Sequence, residues 1–230
     1  MVVVERIDVL ATKRQEGFSI LRTLTSGKLW LAVYFFVIFQ ASLYLIKQAA
    51  LAEFSLFWSI GDLALGLFAV FHSLVVILQQ LDQGPYDLTR KWLVFLSVMV
   101  LYVYVFAISF VVLFLGFEPT IQPNQESVDI IMNNQRLLML FMTIIVAPVV
   151  EELVFRELLP AAMGFAPIGF ILSSVLFVVL HAPAGITGWL VYSGISAVLL
   201  FLRLQGGNVL QAVSGHILYN LLSVLLGLVW

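Results

Sequence analysis

Residues 151–156 read Glu-Glu-Leu-Val-Phe-Arg and place three ionisable side chains inside a run that is otherwise apolar. On insertion scales, each charge near the centre of a bilayer costs about 2.5–3.5 kcal/mol. A group of such charges in a membrane helix therefore indicates a function.

Helical geometry separates the charges of this stretch. Glu152 and Arg156 are four residues apart, share one helix face and can pair, which offsets part of their desolvation cost. Glu151 lies about 100° round the helix from Glu152, so its carboxylate points elsewhere and is the candidate for chemistry. Pro148 cannot donate a hydrogen bond to the carbonyl of Ile144. We therefore expect a kink or a loosened turn, with open backbone polar groups, one turn before the acidic pair.

The composition is that of an integral membrane protein. Hydrophobic residues make up 62% of the chain, charged residues only 10%, and the mean hydropathy is +1.09, whereas soluble domains are about 45–50% apolar. The chain has no cysteine, which excludes disulfides, thiolate metal sites and a cysteine nucleophile. No basic patch indicates a nucleic-acid partner. Carboxylate, imidazole and hydroxyl chemistry remain.

Hydropathy and turn signals predict an all-α polytopic bundle of about seven transmembrane helices. A cytoplasmic or interfacial segment, residues 1–28, comes first and lacks the pattern of a cleavable signal peptide. We interpret residues 29–129 as three accessory spans and residues 130–230 as a four-helix catalytic core. The predicted spans are 29–46, 56–78, 92–115, 130–163, 168–181, 187–204 and 209–230.

The distribution of Lys and Arg predicts the orientation. With the N-terminus inside, eight basic residues lie on the inner side and two, Lys47 and Arg136, on the outer side, so the positive-inside rule favours N-in and C-out. The eight inner residues are Arg6, Lys13, Arg14, Arg22, Lys28, Arg90, Lys91 and Arg203.

Further polar groups that lipid would reject occur on the later spans. His181 ends the fifth span, with Phe177 one turn before it, and His216 and Asn220 share one face of the seventh. At about 1.5 Å per residue, Glu151, His181 and the His216–Asn220 pair lie at overlapping depths, roughly 10–20 Å into the membrane. We therefore expect them to meet in one intramembrane cavity.

The second span carries two further ionisable residues, Asp62 and His72. They are ten residues apart, about 15 Å along the axis, so they cannot pair on one helix. We expect structural roles for both, with Asp62 near a span end and His72 packed on a partner helix. Gly61, Gly66 and Ser73 indicate close helix packing.

Three ordered motifs resemble one family. Glu-Glu-x-x-x-Arg, Phe-x-x-x-His and His-x-x-x-Asn, in this order, are similar to the CPBP (Abi) family of intramembrane proteases. That family includes the CAAX prenyl endopeptidases of the Ras-converting-enzyme type. The resemblance covers about residues 137–220, and the first three spans match nothing that we can name. The motif positions are filled by Glu151, Glu152, Arg156, Phe177, His181, His216 and Asn220.

The resemblance implies an intramembrane glutamic-type endopeptidase without an obligatory cofactor. Glu151 and His181 would activate a water that attacks a peptide carbonyl, and His216 and Asn220 would stabilise the oxyanion. Glu152 and Arg156 would support the site together with Phe177. The implied partners are a lipid bilayer and a peptide or lipidated peptide, with prenylated CAAX-type substrates among the candidates. A multi-pass protein of a prokaryotic cell membrane is expected.

Other interpretations of the same residues remain open. Zinc held by Glu151, His181 and His216 would make the protein a metal-dependent protease, although no His-Glu-x-x-His element is present. A non-catalytic membrane scaffold or bacteriocin-immunity-type protein would keep the polar groups for helix contacts, and buried Glu and His residues could also carry protons in a transporter.

Overall fold

The computed structural model describes residues 19–51, 55–81, 91–117 and 125–226 and contains eight helices with no strand among these residues. The loops and termini that the predictions included at residues 1–18, 52–54, 82–90, 118–124 and 227–230 lie outside the described residues. The helices are α1 (Ile20–Thr25), α2 (Gly27–Leu51), α3 (Ser55–Leu81), α4 (Lys91–Phe114), the long α5 (residues 125–162), α6 (Pro167–Leu180), α7 (Gly185–Gly206) and α8 (Leu210–Leu225).

Five of these helices are long and apolar enough to cross a membrane: α2, α3, α4, α7 and the part of α5 at Ile130–Ala162. The prediction of an all-α integral membrane bundle is confirmed, and the predicted spans agree with the helix ends to within a few residues. Two further apolar helices, α6 and α8, have 14 and 16 residues, fewer than the roughly 20 that a full crossing needs. The count of seven spans and the orientation stay predictions.

The long helix α5 is interrupted twice by π-helical turns. Its segments are Gln125–Phe141, π-helical Met142–Val146, Ala147–Glu152, π-helical Leu153–Leu158, and Leu159–Ala162. The predicted loosened turn before Glu151 is therefore present as the first π segment, which ends at Val146, two residues before Pro148. Each π turn places one extra residue in the helix, and such turns are frequent at functional sites.

Helix α2 packs antiparallel to α5. The carbonyl of Ala50 accepts a hydrogen bond from Asn134 Nδ2 at 3.0 Å, whereas Ser42, eight residues earlier in α2, contacts the sulfur of Met142 at 3.5 Å. Residue numbers thus rise along α2 as they fall along α5. The first half of the chain is in this way packed on the polar stretch of the second half.

Helix α4 also packs on the second half, through two tyrosines. The hydroxyl of Tyr102 donates to the carbonyl of Tyr219 on α8 at 2.8 Å and lies 2.6 Å from Ser223 Oγ. The hydroxyl of Tyr104 donates to the carbonyl of Leu190 on α7 at 2.9 Å. These bonds tie α4 to α7 and α8. The division into accessory spans and a four-helix core stays a prediction.

The two ionisable residues of α3 face α2. Asp62 is fully buried and accepts a hydrogen bond from Ser42 Oγ at 2.5 Å. The ring of His72 packs against Tyr34 and Phe35, and its Nδ1 lies 3.2 Å from the Tyr34 hydroxyl. The prediction that His72 packs on a partner helix is confirmed. Gly66 approaches Phe141 closely and Ser73 is fully buried, as expected for positions of close helix packing.

Candidate active site

The bundle contains a cavity of about 620 Å³, which is lined by residues of α2, α5, α6, α7 and α8. Residues that the sequence analysis selected from three distant stretches all line it: Glu151 on α5, His181 after α6, and His216 and Asn220 on α8. The expectation that these four side chains share one cavity within the bundle agrees with this arrangement.

Glu151 and His181 face each other across the cavity wall. The distance between Glu151 Oε2 and His181 Nε2 is 3.8 Å, and the two side chains are 12% and 22% exposed. This separation is too long for a direct hydrogen bond. It leaves both atoms within reach of one water placed between them, and both side chains are open to the cavity.

The end of α6 sets the tautomer of His181. His181 is the C-cap residue of this helix, and its Nδ1 lies 2.7 Å from the carbonyl oxygen of Phe177. A carbonyl only accepts, so Nδ1 carries the hydrogen, and in the neutral ring Nε2 is left as an acceptor. The next residue, Ala182, has φ of 48°, a left-handed conformation that ends the helix and that costs a non-glycine residue free energy. The acceptor nitrogen of His181 therefore faces Glu151.

Phe177 is the ring around which the charged side chains pack. It is 1% exposed, and its centroid lies 4.3 Å from that of His181 and 6.2 Å from that of His216. The guanidinium carbon of Arg156 lies 4.7 Å from the same centroid, a cation–π contact. The predicted contact between Phe177 and His181 is present, and one aromatic ring thus touches three of the polar groups.

Glu152 joins the motif of α5 to that of α8. Its Oε2 lies 3.3 Å from Arg156 Nε, which is the predicted i,i+4 pair, and its Oε1 lies 3.0 Å from His216 Nδ1. Arg156 is fully buried and also donates to the hydroxyls of Ser174 and Ser196, at 3.3 and 3.1 Å. The carboxylate can only accept, so Nδ1 of His216 is the donor and Nε2 is its remaining ring nitrogen.

Asn220 is held by a backbone carbonyl that Pro148 leaves free. In the first π segment the Ala147 N–H donates to the carbonyl of Met142, five residues earlier. The next bond of this series would run from residue 148 to Thr143, but proline has no N–H. Asn220 Nδ2 donates to the Thr143 carbonyl instead, at 2.8 Å. Asn220 thus bonds to the Thr143 carbonyl, one residue before the Ile144 carbonyl that the sequence indicated, because the π turn shifts the hydrogen-bond partner by one residue.

Two parts of the cavity wall were not found from the sequence. Tyr192 on α7 lines the cavity, and its ring centroid lies 4.8 Å from that of His181. Helix α2, in a region without a motif, contributes a stripe that includes Gln40 and Lys47. The sequence carried no signal for either, since single Tyr, Gln and Lys residues are common in membrane helices and interfaces.

A buried ion pair between α5 and α7 was also missed. Arg203 on α7 donates from Nε and Nη2 to Glu157 Oε2, at 3.0 and 2.6 Å, and the two side chains are 3% and 9% exposed. Neither residue lines the cavity, and the pair joins α5 to α7. Arg203 was counted among the basic residues of the inner side, but it lies within α7, which continues to Gly206, and is buried.

The geometry of metal-binding side chains bears on the zinc interpretation. Within the described parts of the chain, no three His, Asp or Glu residues are arranged to hold a metal ion. Glu151, His181 and His216 line one cavity, but His216 Nδ1 is engaged by Glu152 and His181 Nδ1 by the Phe177 carbonyl.

Part of the chain is similar to a known protein family. Residues 133–222 match the family described as type II CAAX prenyl endopeptidase Rce1-like. The matched part contains all seven motif residues and runs from α5 into α8, and helices α1 to α4 lie outside it. Neither the curated proteins nor the solved structures gave a match.

Proposed function

We propose that the chain is an intramembrane endopeptidase with a glutamate- and histidine-activated water. Residues 133–222 match the type II CAAX prenyl endopeptidase Rce1-like family, and this match supports peptidase activity in general, within an integral membrane protein.

The single observation that carries the proposal is the pair Glu151 and His181. Two hydrogen-bond acceptors 3.8 Å apart, both open to a cavity, are suited to hold one water that donates to each of them. Removal of a proton from this water would generate the nucleophile. A buried ion pair kept only for helix contacts would have its groups in direct contact, as Glu157 and Arg203 have.

In the proposed reaction, the water oxygen attacks the carbonyl carbon of the scissile peptide bond while its proton passes to Glu151 or His181. A tetrahedral intermediate forms, and the carbonyl oxygen becomes an oxyanion. The same proton is then delivered to the peptide nitrogen, the C–N bond breaks, and a carboxylic acid and an amine leave.

His216 and Asn220 are proposed to stabilise the oxyanion. Asn220 uses one N–H for the Thr143 carbonyl and has a second to donate. His216, with its Nδ1 hydrogen on Glu152, would act as an imidazolium and donate from Nε2. Removal of one such donor from a site that excludes water costs about 3–4 kcal/mol, or a factor of 10²–10³ in rate. Glu152 and Arg156 act as positioning residues, since they hold His216 in place.

The cavity favours an apolar, membrane-associated substrate. Its volume lies within the range of about 300–1,000 Å³ that is typical of ligand sites, and on the α2 and α5 sides it is lined by Phe36, Phe39, Leu43, Met139 and Met142. Such a wall can accept an aliphatic peptide segment or a prenyl chain. A peptide with a prenylated CAAX-type terminus is therefore the proposed substrate class.

The test is mass spectrometry of peptides that the wild-type protein cuts, with farnesylated and plain substrates side by side. Glu151→Gln keeps the shape of the side chain but removes its basicity, so cleavage should be lost while the protein still inserts and folds. Asp62→Asn is the matched control, because Asp62 is also a buried carboxylate but does not line the cavity. Cleavage by Glu151→Gln at the wild-type rate would contradict the proposal.

The same assay separates the alternatives. Loss of activity with a chelator, together with stoichiometric zinc in the purified protein, would replace the metal-free mechanism with the zinc-dependent one. A Glu151→Gln protein that cuts nothing but retains its biological function would favour a scaffold or immunity-type role.

A further inference from the structure

One face of α7 lines the cavity and carries an aromatic ring that contacts His181. This face consists of Gly188, Val191, Tyr192 and Ile195, whose positions i, i+3, i+4 and i+7 place them on one side of the helix. The ring centroids of Tyr192 and His181 are 4.8 Å apart, and the two ring planes are inclined by 39°. At this separation the rings are in direct contact.

Helix α4 holds this face of α7 toward the cavity. The hydroxyl of Tyr104 donates to the Leu190 carbonyl at 2.9 Å, and its ring fills the space beside Gly194, where any Cβ would collide with it. Leu190 and Gly194 lie two residues before and two residues after Tyr192, so each is about 200° round the helix from it. Tyr104 therefore packs on the side of α7 that faces away from the cavity, and it fixes the rotation of α7 that presents Tyr192 to His181.

The contact from α7 matters because two other restraints on the His181 ring come from its own helix. The Phe177 carbonyl lies 2.7 Å from Nδ1, and the Phe177 ring lies 4.3 Å from the imidazole, centroid to centroid. Helix α6 ends at Leu180, and the chain turns at Ala182, so a restraint beyond the end of the helix has to come from another element. Tyr192 supplies it and opposes rotation of the imidazole about its Cβ–Cγ bond.

An aromatic ring also responds to the charge of its neighbour. When the catalytic water attacks, its O–H bond breaks, the electron pair of that bond forms the new C–O bond, and a proton is released. A proton bound at Nε2 makes His181 an imidazolium, and aromatic rings attract a cation within about 6 Å of the centroid. The rings of Phe177 and Tyr192 both lie within this distance, and the Glu151 carboxylate is 3.8 Å from Nε2. The surroundings therefore favour His181 as the group that takes the proton.

We propose that Tyr192 is a positioning residue for His181. Its ring keeps Nε2 directed at Glu151 and stabilises the imidazolium that forms when the water gives up its proton. This role rests on the proposed peptidase function and deepens it, since it assigns the proton to His181. The imidazolium is absent from the ground state, so its stabilisation lowers the barrier of the chemical step without tightening substrate binding. Loss of the Tyr192 ring should therefore lower kcat and leave KM unchanged.

The test measures kcat and KM of the full chain in phosphatidylcholine nanodiscs, with a farnesylated peptide as substrate. Tyr192→Leu should lower kcat about threefold to thirtyfold, the range of one cation–π contact, at unchanged KM. Tyr192→Phe keeps the ring and should keep the wild-type kcat.

A fluorinated series separates the charge effect from packing. Phenylalanines with one, two or three ring fluorines at position 192 should lower kcat stepwise, because fluorine withdraws electrons from the ring face and nearly preserves the shape of the ring. Since the shape is kept, this series decides the question even where Tyr192→Leu does not fold. The same analogues at Tyr219, which lines the cavity with its ring against Tyr102, are the matched control and should all give the kcat of Tyr219→Phe.

Nitrogen NMR of the histidine rings gives a readout that does not need cleavage. The chain has three histidines, and the signals of His181 are those that disappear in His181→Gln. In the wild type and in Tyr192→Phe, His181 should be one tautomer with its hydrogen on Nδ1. In Tyr192→Leu both tautomers should be present, because the released ring can rotate away from the Phe177 carbonyl.

Several results would overturn the role of Tyr192. They are an unchanged kcat in Tyr192→Leu, a kcat that does not respond to fluorination, and a single Nδ1–H tautomer of His181 in Tyr192→Leu. A higher KM at constant kcat would make Tyr192 a contact of the substrate and overturn it as well. If the wild type cuts no peptide while the tautomer of His181 still depends on Tyr192, the positioning is supported and the proposed peptidase function is contradicted.

Discussion

At the residue scale, the structure depends most on Glu152, whose two oxygens contact different helices. One oxygen pairs with Arg156 and the other with His216, and Glu152 and Arg156 are both 0% exposed. When one partner of a buried pair is removed, the other charge stays buried without compensation, which costs about 3–5 kcal/mol. Loss of either partner alone should therefore destabilise the protein, and loss of Glu152 should also release His216.

We predict that Arg156→Met lowers the free energy of unfolding by about 3–5 kcal/mol and therefore lowers the unfolding temperature strongly. Arg156→Lys should give an intermediate loss, because a lysine keeps the charge but cannot reach Ser174, Ser196 and Glu152 with one planar fork. Thermal unfolding in detergent, followed by the fluorescence of the five tryptophans, measures both. Unfolding of Arg156→Met at the wild-type temperature would contradict this account of Arg156.

The pair also allows a control by compensation. In the double variant Glu152→Gln, Arg156→Met no uncompensated charge remains, so stability should recover part of the loss seen in Arg156→Met. Activity should not recover, because His216 has lost the carboxylate that orients it. Recovery of both stability and activity would show that Glu152 does not position His216.

At the scale of elements, Pro148 and the π turn before it determine where Asn220 points. The missing N–H of Pro148 leaves the Thr143 carbonyl free, and the Asn220 amide donates to it at 2.8 Å. A buried carbonyl without a donor would cost free energy, so this bond fixes the rotamer of Asn220. An interruption in one helix thereby orients a side chain on another.

We predict that Pro148→Ala lowers the catalytic rate about tenfold without lowering stability. Alanine supplies an N–H that competes with Asn220 for the Thr143 carbonyl, and it removes a poor helix former. Steady-state kinetics on the farnesylated peptide, compared with the unfolding temperature, measure the two effects separately. Full activity in this variant would mean that the Thr143 contact does not position Asn220.

At the scale of the whole molecule, the burial of Arg203 changes the charge count that predicts orientation. Arg203 is 3% exposed and paired with Glu157, so it does not act as a free loop charge. The inner side then keeps seven basic residues and the outer side two, and the positive-inside rule still favours N-in. Lys47 and the end of the cavity next to it would then lie toward the outer surface.

We predict that single cysteines at position 22 or 28 react only from the cytoplasmic side, and a cysteine at position 136 only from the outer side. The natural chain has no cysteine, so each of the variants Arg22→Cys, Lys28→Cys and Arg136→Cys carries one thiol. Labelling of intact cells with a membrane-impermeant maleimide, before and after permeabilisation, measures the side. Labelling of Lys28→Cys in intact cells would reverse the predicted orientation.

Local features of the sequence were enough to predict the membrane class, the helical fold, the approximate helix ends and the pairs that lie on one helix. Composition and the 3.6-residue repeat are local properties, so the Glu152–Arg156 pair and the Phe177–His181 contact followed from spacing alone. The loosened turn at Pro148 followed from one missing N–H.

The contacts between helices could not be predicted from the sequence and are known from the packed fold. Three such contacts involve residues far apart in the chain. They are the contact of Glu152 with His216, the hydrogen bond from Asn220 to Thr143, and the packing of the α2 stripe that includes Lys47 at the cavity. Helix rotation and antiparallel register fix such contacts, and these depend on how whole faces pack rather than on any local pattern. Residue spacing shows which side chains share a helix face. The packing of the helices decides which other helix that face contacts.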